Sequence, residues 1–350
     1  MFDFSLSSSL PKITGLWLFN DFYGINRKFL IYSIIVRFFE FVCIIFSIYL
    51  IFLSIKDNAN IIYALIFQIP ILINSVLNVT HICSQYYYKE LWKQSLVFKT
   101  EKTKYSNYIF LTNCAEFGII FILALLFRLT QRLDHTWRDN AVYIGLLIVQ
   151  ITFSFKSIIV NHFSILMENL IIKQQKINKE MELLNNELYL KLFVNILIKK
   201  HDEIIINARL INTIFSWQNL CLCTICTIGF ISNVYGVCVK LFLKLQIRAL
   251  LLNITYFVHY FGIIQAVAYY CENLRGQIDN FNYLLVRFTS ERSLSGFIDV
   301  RIIDDLQFYA SRNRNVTFSA AGYFTLGYPL VTTLVGTTIT LVAIIIQFTF

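Results

Sequence analysis

The sequence predicts an all-α membrane protein of seven transmembrane helices, with a cytoplasmic N-terminus, an extracellular C-terminus and cytoplasmic helical extensions. Three observations lead there. Of 350 residues, 57% are hydrophobic and only 15% charged, with a mean hydropathy of +0.62; a soluble domain is about a quarter charged. Seven apolar runs are long enough to cross a bilayer core of about 30 Å, which takes about 20 helical residues. Lys and Arg gather in alternate connections between those runs.

The seven runs fall near 29–55, 61–80, 109–129, 141–165, 216–239, 249–271 and 329–349. The fifth has the loosest edge, because apolar residues begin well before Trp217. Residues 1–12 lack a basic n-region and a continuous apolar stretch, so no cleavable signal peptide is expected and the first run is the signal anchor. The last run reaches the C-terminus, leaving no tail for a separate domain.

Twenty-one Lys and Arg lie in the N-terminal segment and the second, fourth and sixth connections. Seven lie in the others: Lys56, Arg128, Arg132, Arg138, Lys240, Lys244 and Arg248. The positive-inside rule then places the N-terminus in the cytoplasm. Most of the formal net charge of +9 is this bias. Basic residues spread over four separate segments make no nucleic-acid surface. Three prolines and twelve glycines exclude collagen-like and disordered classes, and eight cysteines are too few for a disulfide scaffold. A G-protein-coupled receptor has the opposite orientation. Its Asp-Arg-Tyr and Asn-Pro-x-x-Tyr signatures are missing, and the expected outer loops hold no cysteine.

The inner connections are long and patterned. Leu170, Ile177, Met181, Leu184 and Leu188 recur at helical spacing, with charges on the other faces. From Lys191 a second helical pattern runs into the fifth span, so spans four and five extend inward as an antiparallel hairpin turning near Asn185–Asn186. Residues 272–315 repeat the theme with Ile278, Phe281, Leu285 and Phe288, then Ile298, Ile302, Leu306 and Tyr309. These faces either lie on the membrane surface or pack together as a bundle that joins subunits. The expected division is 1–165 for spans one to four, 166–215 for the hairpin and 216–271 for spans five and six. Residues 272–328 then make inner anchor helices, and 329–350 the pore-lining helix.

Nothing points to catalysis. Cys221-x-Cys223-x-x-Cys226 resembles a metal motif but lies in an apolar helix without a fourth ligand, and reads as packing. His81, His135, His162, His201 and His259 form no zinc-enzyme array, and no Walker A, Rossmann or G-x-S-x-G motif occurs. No cofactor and no metal are expected. Ionisable residues inside spans are functional candidates by default. Arg37 and Glu40 are spaced to pair with each other, while Glu116 and Lys156 either pair or act as snorkelling anchors. The sequons at Asn78, Asn253 and Asn315 fall inside or within the membrane and should carry no glycan.

The last span is the most informative. No charge occurs from Asn315 to Phe350, and Gly327-Tyr328-Pro329 marks a break, because proline fits the first turn of a new helix. Thr333, Gly336, Thr337, Thr340, Ile344 and Gln347 share a stripe about 100° wide on an ideal helix. Val331, Leu334, Val335, Ile339, Val342, Ile345 and Ile346 take the opposite, apolar face. A polar stripe at membrane depth must face protein or water. It is either a Thr/Gly packing seam with hydroxyls bonded to their own backbone, or the lining of a pore. One stripe per subunit requires several copies in a ring.

The segment from Thr340 to Phe348, with threonine followed by apolar residues and then Gln347-Phe348, resembles the C-terminal signature of insect gustatory receptors. That family shares a chemoreceptor channel superfamily with insect odorant receptors. Asp304-Asp305-Leu306 and Phe318-Ser319-Ala320-Ala321-Gly322-Tyr323-Phe324 also look like it. Leu341 stands where tyrosine is usual, so no hydroxyl is present there. Val342 stands where the sugar-sensing branch has glutamate, which argues against a sugar receptor. The resemblance implies a ligand-gated, cation-permeable channel in the plasma membrane of chemosensory neurons. It implies a homotetramer or heterotetramer around the last helix, with Thr333, Thr337, Thr340, Ile344, Gln347 and Phe348 at the pore and gate. Its partners would be a small-molecule tastant and membrane lipid, with no nucleic acid.

A tastant pocket belongs among the outer halves of spans two to six. Candidates at that depth are Gln68, Tyr143, Gln150, Asn233, Tyr235, Asn253 and Tyr256, each with packing or helix bonding as the alternative. Two other functions stay open: an odorant-type subunit needing a coreceptor, and a G-protein-coupled receptor of reversed orientation.

Overall fold

A computed structural model describes residues 28, 30–38, 41, 42, 44, 45, 61–90, 137–183, 190–242, 247–295, 306–309 and 316–349. Among these are five long helices: α1 (Ile61–Tyr87), α2 (Trp137–Glu182), α3 (Leu190–Phe242), α4 (Ile247–Ser295) and α5 (Tyr328–Thr349). A two-stranded antiparallel hairpin, β1 (Ser319–Ala320) and β2 (Phe324–Thr325), precedes α5. The run at 109–129, Glu40, Glu116, Leu184, Leu188, the turn at Asn185–Asn186, Ile298, Ile302 and Asp304-Asp305 lie outside the described residues.

No proline interrupts α2, α3 or α4, which have 46, 53 and 49 residues. At 1.5 Å per residue they are about 70–80 Å long, more than twice the thickness of a bilayer core. Each is therefore longer than a bilayer crossing needs. Within the described residues, Val194–Cys238 is the stretch long and apolar enough to cross a membrane, and Tyr328–Ile344 is a shorter apolar helix.

Helix α3 is central, packing on α1, α2, α4, α5 and β1. In the extensions, Leu170, Ile177 and Met181 of α2 are buried with Leu197, Ile204 and Ala208 of α3. Ile278, Phe281 and Leu285 of α4 close the same cluster. The periodic apolar faces thus cover one another as a three-helix bundle. A buried side chain of this size contributes about 1.5–3 kcal/mol.

A polar layer runs through that bundle. His201 is fully buried and stacks on Phe281, with ring centroids 4.1 Å apart. Its Nδ1 lies 2.9 Å from Gln174 Oε1. Gln174 Nε2 donates to Asn178 Oδ1 at 2.9 Å, and Asn178 Nδ2 donates across to the Gln277 carbonyl at 2.9 Å. With the Gln174 amide oxygen as acceptor, His201 must donate from Nδ1, so the chain of amides fixes the tautomer. Three helices are pinned in register by one run of bonds. On the surface, Lys200 reaches Glu180 at 3.1 Å, an exposed pair of little energetic weight.

In the apolar part, α3 and α4 approach through glycines. A Cβ at Gly229 would lie 2.5 Å from the Tyr260 ring, and one at Gly236 would collide with the Asn253 amide. The sequon Asn253 is therefore buried packing, and Asn78 is buried too. Lys156 does not snorkel: it is fully buried, with Nζ 4.1 Å from the Tyr260 ring centroid. Such a cation–π contact is worth about 2 kcal/mol when desolvated. His81 and His162 stack with centroids 5.6 Å apart, and Phe215 packs on His81. Cys223 and Cys226 are core residues of α3.

Gly229→Ala is expected to lower the melting temperature of the detergent-solubilised protein. Displacing Tyr260 costs about 1–3 kcal/mol, more than the helix-propensity gain of about 1 kcal/mol. Gly262→Ala meets nothing within 4 Å and should leave the melt unchanged or raise it.

Candidate functional site

Helix α5 starts at the predicted break. Tyr328 opens the helix, Pro329 lacks the N–H that a first turn leaves unbonded, and Leu330 N donates to Gly327 O at 3.1 Å. Upstream, Ala321 and Gly322 both take positive φ, 50° and 79°, giving the tight turn that lets β2 fold back on β1. Ser319 N donates to Asn212 Oδ1 of α3 at 3.0 Å, and Leu326 N donates to Phe318 O at 2.8 Å. The base of α5 is thus tied to α3 through the hairpin.

Above the base, α5 is two-faced. Val331, Leu334, Thr338 and Val342 are buried against the rest of the chain. Thr333, Gly336, Thr337, Thr340, Ile344 and Gln347 are all exposed. Ile339, assigned from the sequence to the apolar back face, is 62% exposed. It sits at the edge of that face, beyond the reach of the core. Thr338 goes the other way, a threonine on the buried face that composition alone groups with its neighbours. The side chains of Ile345 and Phe348 lie outside the described residues.

The stripe has a definite hydrogen-bond polarity. Thr333 Oγ1 donates to Pro329 O at 2.8 Å, Thr337 Oγ1 to Thr333 O at 2.8 Å, and Thr340 Oγ1 to Gly336 O at 3.0 Å. Each hydroxyl proton is engaged within the helix, so what faces outward is a ladder of oxygen lone pairs. Such a surface accepts water protons and cations and repels anions. The backbone-bonded hydroxyls expected of one sequence reading are thus present, on side chains that are exposed.

The pocket candidates scatter. Asn233 Nδ2 donates to Gly229 O at 2.6 Å, a bond within its own helix. Asn253 packs on Gly236. Tyr235 is half-buried, and Tyr256 packs at the core edge. The side chains of Gln68, Tyr143 and Gln150 lie outside the described residues. Asn233, Asn253 and Tyr256 are thereby engaged in packing or helix bonding. Among the described residues no group of three or more His, Cys, Asp or Glu could hold a metal.

The described residues are mostly helical, with three long central helices and a two-faced terminal helix. Over residues 22–350 the sequence matches the family described as 7tm chemosensory receptor, and the chain belongs to that family of membrane proteins. Its fold is that of solved insect olfactory receptors. Olfactory receptor OR5 from Machilis hrabei superposes with a TM-score of 0.69 at 12% identity, covering 98% of this chain and 97% of that one. The same receptor in complex with eugenol gives 0.69 at 14% identity with the same coverage. At such identities the likeness is one of fold. Among curated proteins none matches the chain in sequence. The resemblance carried by the C-terminal signature holds at the level of this family, which is one of receptors and not of enzymes.

Proposed function

We propose that the chain is a gustatory receptor: a ligand-gated, cation-permeable channel of the plasma membrane of chemosensory neurons, opened by a small-molecule tastant other than a sugar. The carrying observation is that α5 buries one face in its own subunit and leaves the oxygen-rich stripe uncovered. A lone stripe facing lipid is unfavourable, and a symmetric ring of four subunits covers it while enclosing water. In this reading Thr333, Thr337 and Thr340 line the conduit, Ile344 forms an apolar constriction, and Gln347 with Phe348 forms the outer gate. Residues 166–215 and 272–328 act as the cytoplasmic anchor that holds subunits together. Residues 1–165 and 216–271 form the transmembrane receptor part, and 329–350 the pore helix. The tastant pocket lies among the outer halves of spans two to six.

The charge bias gives the first test. A C-terminal tag should be labelled by antibody on intact cells and an N-terminal tag only after permeabilisation. The reverse pattern contradicts the channel reading and restores the G-protein-coupled one.

One observation favours a second reading, an odorant-type subunit that needs a coreceptor: the similar solved structures are olfactory receptors. Expressing the chain alone and screening soluble tastants and volatiles for cation current separates the two. Current from the chain alone supports the gustatory reading. Current only with a coreceptor supports the other.

A further inference from the structure

We infer that Glu272 is a positioning residue for the pore helix, its carboxylate seated on Gly327 as the fulcrum about which α5 tilts. The inference rests on the pore reading of α5. Glu272 belongs to α4, and Gly327 is the residue just before α5 begins. At Gly327 a Cβ would collide with Glu272 Oε1 and come within 3.2 Å of its Cδ and 3.5 Å of its Cγ. The missing side chain is therefore the seat of the carboxylate. A side chain at Gly327 would have to displace that carboxylate.

Three features make the contact more than packing. Helix α5 has no acidic residue in its first turn, so the carboxylate at its N-terminal end is supplied from another helix. The helix dipole makes that end favourable for negative charge. The hairpin fixes the other side of Gly327 through Ser319 and Asn212, so the base of α5 is gripped by α3 and α4 together. Above this base, the stripe faces away from both helices. Displacement of α4 then reaches α5 at its base, and the helix swings from there, with the largest excursion at Gln347. Ligand-driven opening requires contacts that differ between the two states, and a charge resting on a tilting helix end is such a contact.

The test uses the full-length receptor in cells, with ligand-free cation current measured against surface-labelled protein in the Gln347→Ala background. Glu272→Gln removes the charge and keeps the shape. It should raise ligand-free current by about two- to fivefold at unchanged surface level, the range of a charge at a helix end. Glu272→Asp keeps the charge and should stay near the parent. Gly327→Ala expels the carboxylate and should raise current similarly, and the double variant Glu272→Gln with Gly327→Ala should add little to either single change. Glu272→Cys with Gly327→Cys should cross-link under mild oxidation, a readout that needs no current. Unchanged current in Glu272→Gln and Gly327→Ala, while Gln347→Ala itself conducts, overturns the fulcrum and leaves the pore reading standing. Fully additive effects, or no cross-link, overturn it as well. Absence of current in Gln347→Ala itself counts against the pore reading, and the fulcrum falls with it.

Discussion

Replacing Gln347 with alanine is expected to raise the current that flows without ligand, at unchanged surface expression. Gln347 is exposed one turn above Ile344, on the stripe that begins at Thr333. In a fourfold ring four such side chains converge near the outer mouth, where each amide has a donor and an acceptor to offer a neighbour. A net hydrogen bond contributes about 1 kcal/mol. Losing one such bond changes the closed-to-open ratio about fivefold, and losing the ring multiplies that. Ile344 then remains as the apolar constriction, so Ile344→Ala in the same background should open the path further. Val342→Ala, on the buried face, should alter stability more than current. Cation currents at matched surface levels check all three.

The second large effect is structural. Phe281→Ala is expected to cost about 3–5 kcal/mol and to reduce severely the folded receptor recovered in detergent. Phe281 is fully buried, and its ring is the platform on which His201 stacks. Truncation leaves a cavity beside the polar layer and frees the imidazole from the geometry that holds its bond to Gln174. Phe281→Leu retains most of the volume and should lose less. Tyr283→Ala, two residues away and exposed, should be nearly silent. Size-exclusion recovery and thermal melts of the three variants order these costs.

Much of the fold is legible in the sequence because its dominant signals are local and periodic. Leu170, Ile177 and Met181 repeat at helical spacing, and the structure buries all three. The two faces of α5 separate on a helical wheel, with Val331, Leu334 and Val342 buried and the threonine-rich stripe exposed. Exposure of Ile339 shows the limit of that reasoning. A wheel gives direction, but how far a neighbour reaches around the helix depends on the partner's side chains.

What the sequence hid is non-local. Gln174, Asn178, His201 and Gln277 read as ordinary polar positions in charged helices. Only the register of three helices, brought together from 99 residues apart in the case of Asn178 and Gln277, turns them into a buried layer. The β-hairpin has two-residue strands, too short for any alternation to be read. Glu272 has no local feature to mark it. Its meaning comes from the glycine it rests on, and Gly327 by itself reads only as a helix break. Lys156 stands out in the sequence as a charge inside an apolar run, but its Tyr260 platform lies on another helix.

The most direct test of the central claim, that the exposed stripe of α5 lines a cation pore, is cysteine scanning of residues 331–347 with a charged thiol reagent. Current is read before and after modification. The account predicts that modification blocks current at Thr333, Thr337, Thr340, Ile344 and Gln347, and spares Val331, Leu334, Thr338 and Val342. Block without that helical periodicity, or block at the buried face alone, would contradict it.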